Sequence, residues 1–319
     1  MNKNFYEMND YLGEVLQKGE PASILRIDNT AGYIMDCLAK KVPISQQFFN
    51  PYTILEGGIF PNTQDYAVHV YNKTYEAMLR ADCVGFVDLS QDIRKGTPLT
   101  APLQDKVMFF SDGFMVFDPG AILGYSKLYL DGLHHPDRIE PWTKHLKGKR
   151  VLVISTHAES IKHQWNNRHQ IWGNNFEKIS DFALVDVIRA PYHPLVDDRQ
   201  YPNCNNWEDM VDHIKNLMEK YDFDVLLTGS TTSSPLFADH AKSIGKIGIQ
   251  TGGVIQLYFG VKGSRWSKVD AYKEWHQMFN DHWIYPLKID QAQHKDSISG
   301  LESSFAYWGQ NETKYHCKC

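Results

Sequence analysis

The chain has 319 residues, 22% of them charged and 42% hydrophobic, and carries a net charge of −5. That profile belongs to a globular protein able to bury a core without staples, and it excludes both a disordered chain and a strongly basic nucleic-acid binder. In chain order, Tyr6 to Leu16 carries apolar residues at helical spacing and stops at Gly19-Glu20-Pro21. ASILRI at Ala22 to Ile27 reads as a short strand, and Ala31 to Lys40 as a helix behind the polar turn Asp28-Asn29-Thr30. Val42 to Asn62, rich in Pro, Gly and rings, reads as an ordered loop. A helix is predicted over Thr63 to Arg80, strands over Cys83 to Asp88 and Lys106 to Phe110, and a turn at Asp118-Pro119-Gly120. The polar segment Asp131 to Lys149 separates two halves.

Beyond it, short apolar strands alternate with helices. Strands are predicted at Arg150 to Thr156, Ala183 to Ala190, Phe223 to Thr228 and Lys246 to Thr251. Helices fall at His157 to Ile171, Trp207 to Lys220 and Ser234 to Ile244. Continuous Val/Ile/Leu runs in such a rhythm mean parallel strands covered on both faces. The expected fold is therefore α/β, a Rossmann-like parallel sheet flanked by helices, with a loop-rich N-terminal half. The expected division is an N-terminal α/β half (1–145), a nucleotide-binding half (146–290) and a tail (291–319), the two halves making one composite domain.

Five scattered cysteines, Cys37, Cys83, Cys204, Cys317 and Cys319, predict free thiols in a cytoplasmic protein, the last two on a frayed tail. No stretch reaches the roughly 18 apolar residues of a membrane span, and the first 20 residues lack a signal-peptide core.

In open parallel sheets ligands bind at the carboxyl ends of strands, which singles out four places. Thr228-Gly229-Ser230-Thr231-Thr232-Ser233-Ser234 leaves a buried strand and opens a helix. Its glycine, hydroxyls and helix-start amides suit a phosphate, or simply a tight strand-to-helix turn. Thr251-Gly252-Gly253 is followed by Gln256, Lys262, Arg265 and Trp266. Paired glycines allow close backbone approach, the two cations can neutralise phosphate and the ring can stack; the plainer reading is a turn with a solvated basic edge. At Ser155-Thr156-His157-Ala158-Glu159, His157 and Glu159 could act as acid or base, or Thr156 could cap a helix with both on the surface. At Arg26-Ile27-Asp28-Asn29-Thr30, Arg26 suits a phosphate, while Asp28 suits a proton, a metal or a helix cap.

Together these landmarks resemble a known family. The run from Asp224 to Trp266 resembles the C-terminal signature of polysaccharide glycosyltransferases with the GT-D fold, matched at Gly229, Lys242, Gly245, Lys246, Gly252, Gly253, Gln256, Phe259, Gly260, Gly263, Arg265 and Trp266. Ala158, Glu159, Ser160, Ile161, Lys162 and Gln164 match that family's middle motif, and the Arg26-Ile27 strand corresponds to its Arg-Ile-Gly-Asp-Gly-Glu element. The resemblance implies a glycosyltransferase that moves a sugar from a nucleotide-sugar donor to a glycan hydroxyl. The donor would be held by Arg26, Asn29, Thr30, Gly229, Ser230, Thr231, Thr232, Thr251, Gly252, Gly253, Gln256, Lys262 and Arg265, with Asp28, His157 or Glu159 as base. Where the family pattern has Asp-X-Glu to hold a divalent metal, this chain has Asn29 and Ala31, with Asp28 displaced by one. Manganese or magnesium would thus lack its two carboxylates, and Lys262, Arg265 and helix-terminal amides would neutralise the diphosphate instead. Rival readings are a group transferase using another nucleotide or S-adenosylmethionine, and a carbohydrate-binding protein without turnover.

Overall fold

The computed structural model describes residues 2–45, 57–86, 98–110, 115–125, 139–192, 201, 203–230, 232–263, 266, 270–291 and 293, with the main chain alone at 2, 29, 115 and 270–273. Thr231, Arg265 and the tail with Cys317 and Cys319 lie outside the described residues. The principal elements are β1 (Asn2–Lys3), α1 (Phe5–Lys18), β2 (Ala22–Ile27), α2 (Asn29–Lys40), α3 (Gln64–Arg80), β3 (Cys83–Phe86), β4 (Val107–Phe110) and β5 (Arg150–Ser155). They continue with α4 (Ala158–Trp165), β6 (Ala183–Arg189), α5 (Trp207–Met218), β7 (Val225–Gly229), α6 (Ser234–Ser243), β8 (Ile247–Gln250) and α7 (Ile255–Tyr258).

Helix boundaries follow local chemistry. Asn4 and Glu7 close a capping box on α1, whose Phe5, Met8, Leu12 and Leu16 line one buried stripe before Gly19 ends the helix in the left-handed region. Thr63 caps α3 and Asn206 caps α5 through their side chains. The helix predicted from His157 to Ile171 is two pieces, broken at Asn166-Asn167. Asp118-Pro119-Gly120 is not an open turn: it starts a single helical turn over Pro119–Ile122.

All eight strands among the described residues are parallel, in the order β1-β4-β3-β2-β8-β7-β5-β6. The fold is α/β and Rossmann-like, a parallel sheet flanked by helices, and β2 lies beside β8 with Ile24 opposite Ile249. Strand side chains alternate between two apolar layers. Val151, Val153, Val225 and Leu227 pack on a front layer with α1, α4 and α7; Leu152, Ile154 and Leu226 pack on a back layer with α2, α3, α5 and α6. Burial on both faces is why these strands read as unbroken aliphatic runs.

This layering positions a site. From β2 and β7 the chain turns to the back layer through α2 and α6; from β5 and β8 it turns to the front through α4 and α7. Across β2-β8-β7-β5, neighbouring strands therefore send their exits to opposite faces. Connections that part in this way leave crevices at the carboxyl ends of the strands. No described helix is long and apolar enough to cross a membrane.

Candidate functional site

Arg26 is the last front-facing residue of β2, and β8 fixes it from both ends. Its amide donates to Gln250 Oε1 at 2.9 Å, and its guanidinium Nη1 donates to the Thr251 carbonyl at 2.8 Å. The guanidinium can lie there only because the next residue is glycine. A Cβ on Gly252 would sit 2.0 Å from Nη1, and its φ of 72° is one that L side chains rarely adopt.

The β7 turn closes on the same point. A Cβ on Gly229 would meet the Gly252 carbonyl at 2.3 Å and Ile255 at 2.5 Å, so the two glycine loops approach as closely as backbones can. Thr251, fully buried, donates to the Thr228 carbonyl from its amide at 2.9 Å and from its hydroxyl at 3.2 Å. Arg26, Gly229 and Gly252 thus converge, with Gly229, Gly252 and Gly253 half-buried.

The hydroxyls of the β7 turn serve the turn itself. Ser234 Oγ donates to the Ser230 carbonyl at 2.5 Å and accepts from the Ser230 amide at 2.6 Å, while Ser230 Oγ lies 3.3 Å from Ser233 Oγ. All three serines are buried. The Ser234 amide donates to the Ser230 carbonyl, the Leu236 amide to the Ser233 carbonyl, and Pro235 has no amide hydrogen. Thr232 Oγ1 donates outward to the Gly57 carbonyl at 2.6 Å and ties the turn to the loop before α3.

At the end of β5, His157 and Glu159 part company. His157 is 3% exposed, its amide donates to Ser155 Oγ at 3.1 Å, and its Nδ1 lies 3.2 Å from Thr156 Oγ1. It is not a surface residue, and Thr156 does not cap α4. Glu159 faces solvent, 3.6 Å from Lys162. The cap comes from a residue 130 positions away: the fully buried carboxylate of Asp290 accepts from the Ser160 amide at 2.5 Å, from Ser160 Oγ at 2.6 Å and from the Glu159 amide at 3.3 Å. Sequence offers no signal for it, because a distant acid at a helix start has no local pattern.

Asp28 is exposed and caps α2, accepting from the Ala31 amide at 2.8 Å; Asn29 begins that helix and Thr30 is half-buried in its first turn. Among the described residues no group of three His, Cys, Asp or Glu is placed to hold a metal ion. The positions aligned with the family's Asp-X-Glu thus offer a helix start, with Asp28 engaged at the cap, in place of a carboxylate pair.

The segment after β8 departs from the expected phosphate loop. Gln256, fully buried, donates to the Val261 carbonyl at 3.1 Å, and Gln164 reaches the carbonyls of Gly260 at 3.1 Å and His282 at 2.8 Å. These two motif glutamines hold a turn. Gly260, with φ 69°, lies against Ile171, where a Cβ would approach to 2.7 Å. Trp266 is 2% exposed and is core, not a stacking platform. Lys262 is half-buried, its ammonium 5.2 Å from the centre of the Tyr285 ring. Lys242, Gly245 and Lys246 stand at the amino end of the sheet, away from these loops: Lys242 bonds the Arg80 carbonyl and Asp82 at 2.9 and 2.8 Å, and Gly245 follows α6 in the left-handed region.

A further acid, Asp118, acts on the same buried hydroxyl as Arg26. Tyr258 donates to the Phe117 carbonyl at 2.8 Å, and the neighbouring Asp118 is 8% exposed. Burial pushes the Tyr258 phenol well above its ordinary range, Asp118 adds to the rise and the positive charge of Arg26 opposes it, so both charged groups act on one buried hydroxyl.

The chain matches no family model, no curated protein and no solved structure.

Proposed function

We propose that the protein is a glycosyltransferase that moves a sugar from a nucleotide-sugar donor to a hydroxyl of a glycan, with the donor diphosphate seated at Arg26 and the Gly252-Gly253 turn. The observation that carries this reading is the guanidinium of Arg26, held by the Thr251 carbonyl against a glycine that leaves it room. A planar fork beside glycine backbone, at a strand end where neighbouring exits part, suits a phosphate oxygen pair. The sequence resemblance supplies the reaction class.

The seat differs from the one that spacing favoured. At α6 the serines are spent on the turn, at α4 the start is filled by Asp290, and at α2 by Asp28. Arg26 and the Gly252 loop are what this edge offers a diphosphate, with Gly229 as a wall and Lys262 further along the chain. Glycosyl transfer needs charge stabilisation on the departing diphosphate and a base for the acceptor hydroxyl. Arg26 supplies the first. For the second, the candidate His157 follows β5, three strands from β2 on the same edge, and it serves only a donor whose anomeric carbon reaches from the Arg26 seat toward β5. Asp28, two residues after Arg26, is exposed, and Glu159 is turned toward Lys162. The thiols of Cys37, Cys83 and Cys204 are free, in keeping with a cytoplasmic reaction.

The test is a panel of nucleotide sugars with the full chain, in chelator and then with manganese, read by thermal stabilisation and by release of nucleoside diphosphate. Stabilisation and sugar release in chelator are expected. Absence of stabilisation, hydrolysis and transfer with every donor overturns the reading, and selective stabilisation by S-adenosylmethionine replaces it with a methyltransferase.

A further inference from the structure

The segment from Asn280 to Gln291 is a strap across the front layer that joins the turn after β8 to the start of α4. The Lys262 amide donates to the Ile284 carbonyl at 2.6 Å and the Ile284 amide to the Gly260 carbonyl at 3.0 Å, so the strap pairs with the turn after β8. The His282 carbonyl accepts from Gln164 on α4. Further on, the Leu287 amide donates to Ser160 Oγ at 2.9 Å, and Tyr192 beyond β6 donates its hydroxyl to the Asp290 carbonyl at 3.1 Å. At the end of this path the Asp290 carboxylate, fully buried, accepts from the Glu159 and Ser160 amides in the first turn of α4 and from Ser160 Oγ.

A helix start carries orphan amides and a partial positive charge, and α/β proteins commonly offer that place to an anionic group. Here the chain offers it to its own carboxylate. His157 is the residue immediately before α4 and makes no side-chain cap, so the angle at which the β5 exit enters the helix is set by what grips the amides two and three residues later. We propose that Asp290 is a positioning residue: by pinning the first turn of α4 it fixes the imidazole of His157, and through the same strap it ties that histidine to the Lys262 turn. The inference rests on the reading of His157 as a site residue, and its structural half stands apart from any reaction.

The experiment uses Asp290→Ala, Asp290→Asn and the milder Ser160→Ala in the full chain, with formate as the probe for the vacated carboxylate seat. The His157 ring resonances in the NMR spectrum are the readout that a general loss of stability would not move in a folded sample. In Asp290→Ala the melting temperature falls by about 5 °C or more and the His157 resonances shift or broaden. Formate restores both along a saturating curve, whereas chloride at equal ionic strength does not. Asp290→Asn and Ser160→Ala move His157 in the same direction by less, and Ser160→Ala covers the case in which neither Asp290 variant folds. With an active donor, kcat falls at least tenfold while the donor KM changes less than threefold, since the Arg26 seat is three strands away. Unmoved His157 resonances in any folded variant of the three, or recovery by chloride as readily as by formate, overturn the inference. A wild-type protein that neither binds nor turns over any nucleotide sugar overturns the glycosyltransferase reading alone, and the spectroscopic arm still decides the role of Asp290.

Discussion

The positive charges at the two ends of the sheet hold different parts of the chain. At the amino end, cations meet carboxylates: Arg150 bonds Asp222 and, at 2.6 Å, Asp224; Lys242 bonds Asp82; Arg80 bonds Asp239 at 2.7 Å. At the carboxyl end, Arg26 donates to a main-chain carbonyl and Lys262 lies over a ring. Ion pairs at the amino end tie strand starts and helices to their neighbours and serve folding. A guanidinium oriented by a main-chain carbonyl at a strand end has the fixed geometry that an anionic ligand requires. Changes at the carboxyl end should therefore cost binding, and changes at the amino end should cost stability.

The largest expected effect is that of Arg26→Ala, which removes the charge from the seat: calorimetry should record donor affinity down by about 100-fold, the loss of a charge-assisted contact pair, with a melting temperature near that of wild type. A comparable loss of folding with unchanged affinity would reverse the roles of the two ends. Gly252→Ala comes next. The new methyl group must displace Nη1 and the residue must hold a left-handed conformation, so affinity should fall about tenfold and stability by roughly 1–2 kcal/mol. Gly229→Ala pushes against the Gly252 carbonyl and Ile255; denaturant titration should find roughly 1–3 kcal/mol lost to overpacking.

The smallest effect belongs to the amino end. Hydrogen bonds from Arg150 hold the Asp224 carboxyl below its ordinary value, more than partial burial raises it. A depressed folded-state value means that the pair stabilises the fold above pH about 4 and that this contribution fades as pH falls through the folded value. Asp224→Asn should accordingly lower the melting temperature by a few degrees at neutral pH, with the gap to wild type closing in acid and donor affinity unchanged. A gap that widened in acid would contradict the sign.

The sheet was legible because its strands are buried on both faces and so spell Val151 to Ile154 or Val225 to Leu227 as unbroken aliphatic runs. β1 was not, since a two-residue strand has no pattern to read. The glycines at 229 and 252 stood out by their position after strands, and the structure gives each a steric reason. What spacing could not reveal is where hydrogen bonds go. Ser230, Ser233 and Ser234 read as ligand hydroxyls but bond one another, and Gln164 and Gln256 are spent on backbone carbonyls. Asp290 and Asp118 were invisible because their partners are remote in sequence. Motif matching finds the residues a fold needs, and only the contacts separate those that face a ligand from those that hold the chain.

The central claim is that the cation at the end of β2 holds a nucleotide diphosphate. Isothermal titration of the wild type and Arg26→Ala with a series of nucleoside diphosphate sugars in chelator addresses it directly. Saturable binding by the wild type without metal, reduced about 100-fold in Arg26→Ala, is the expected result; equal binding by the two proteins, or none by the wild type, would contradict it.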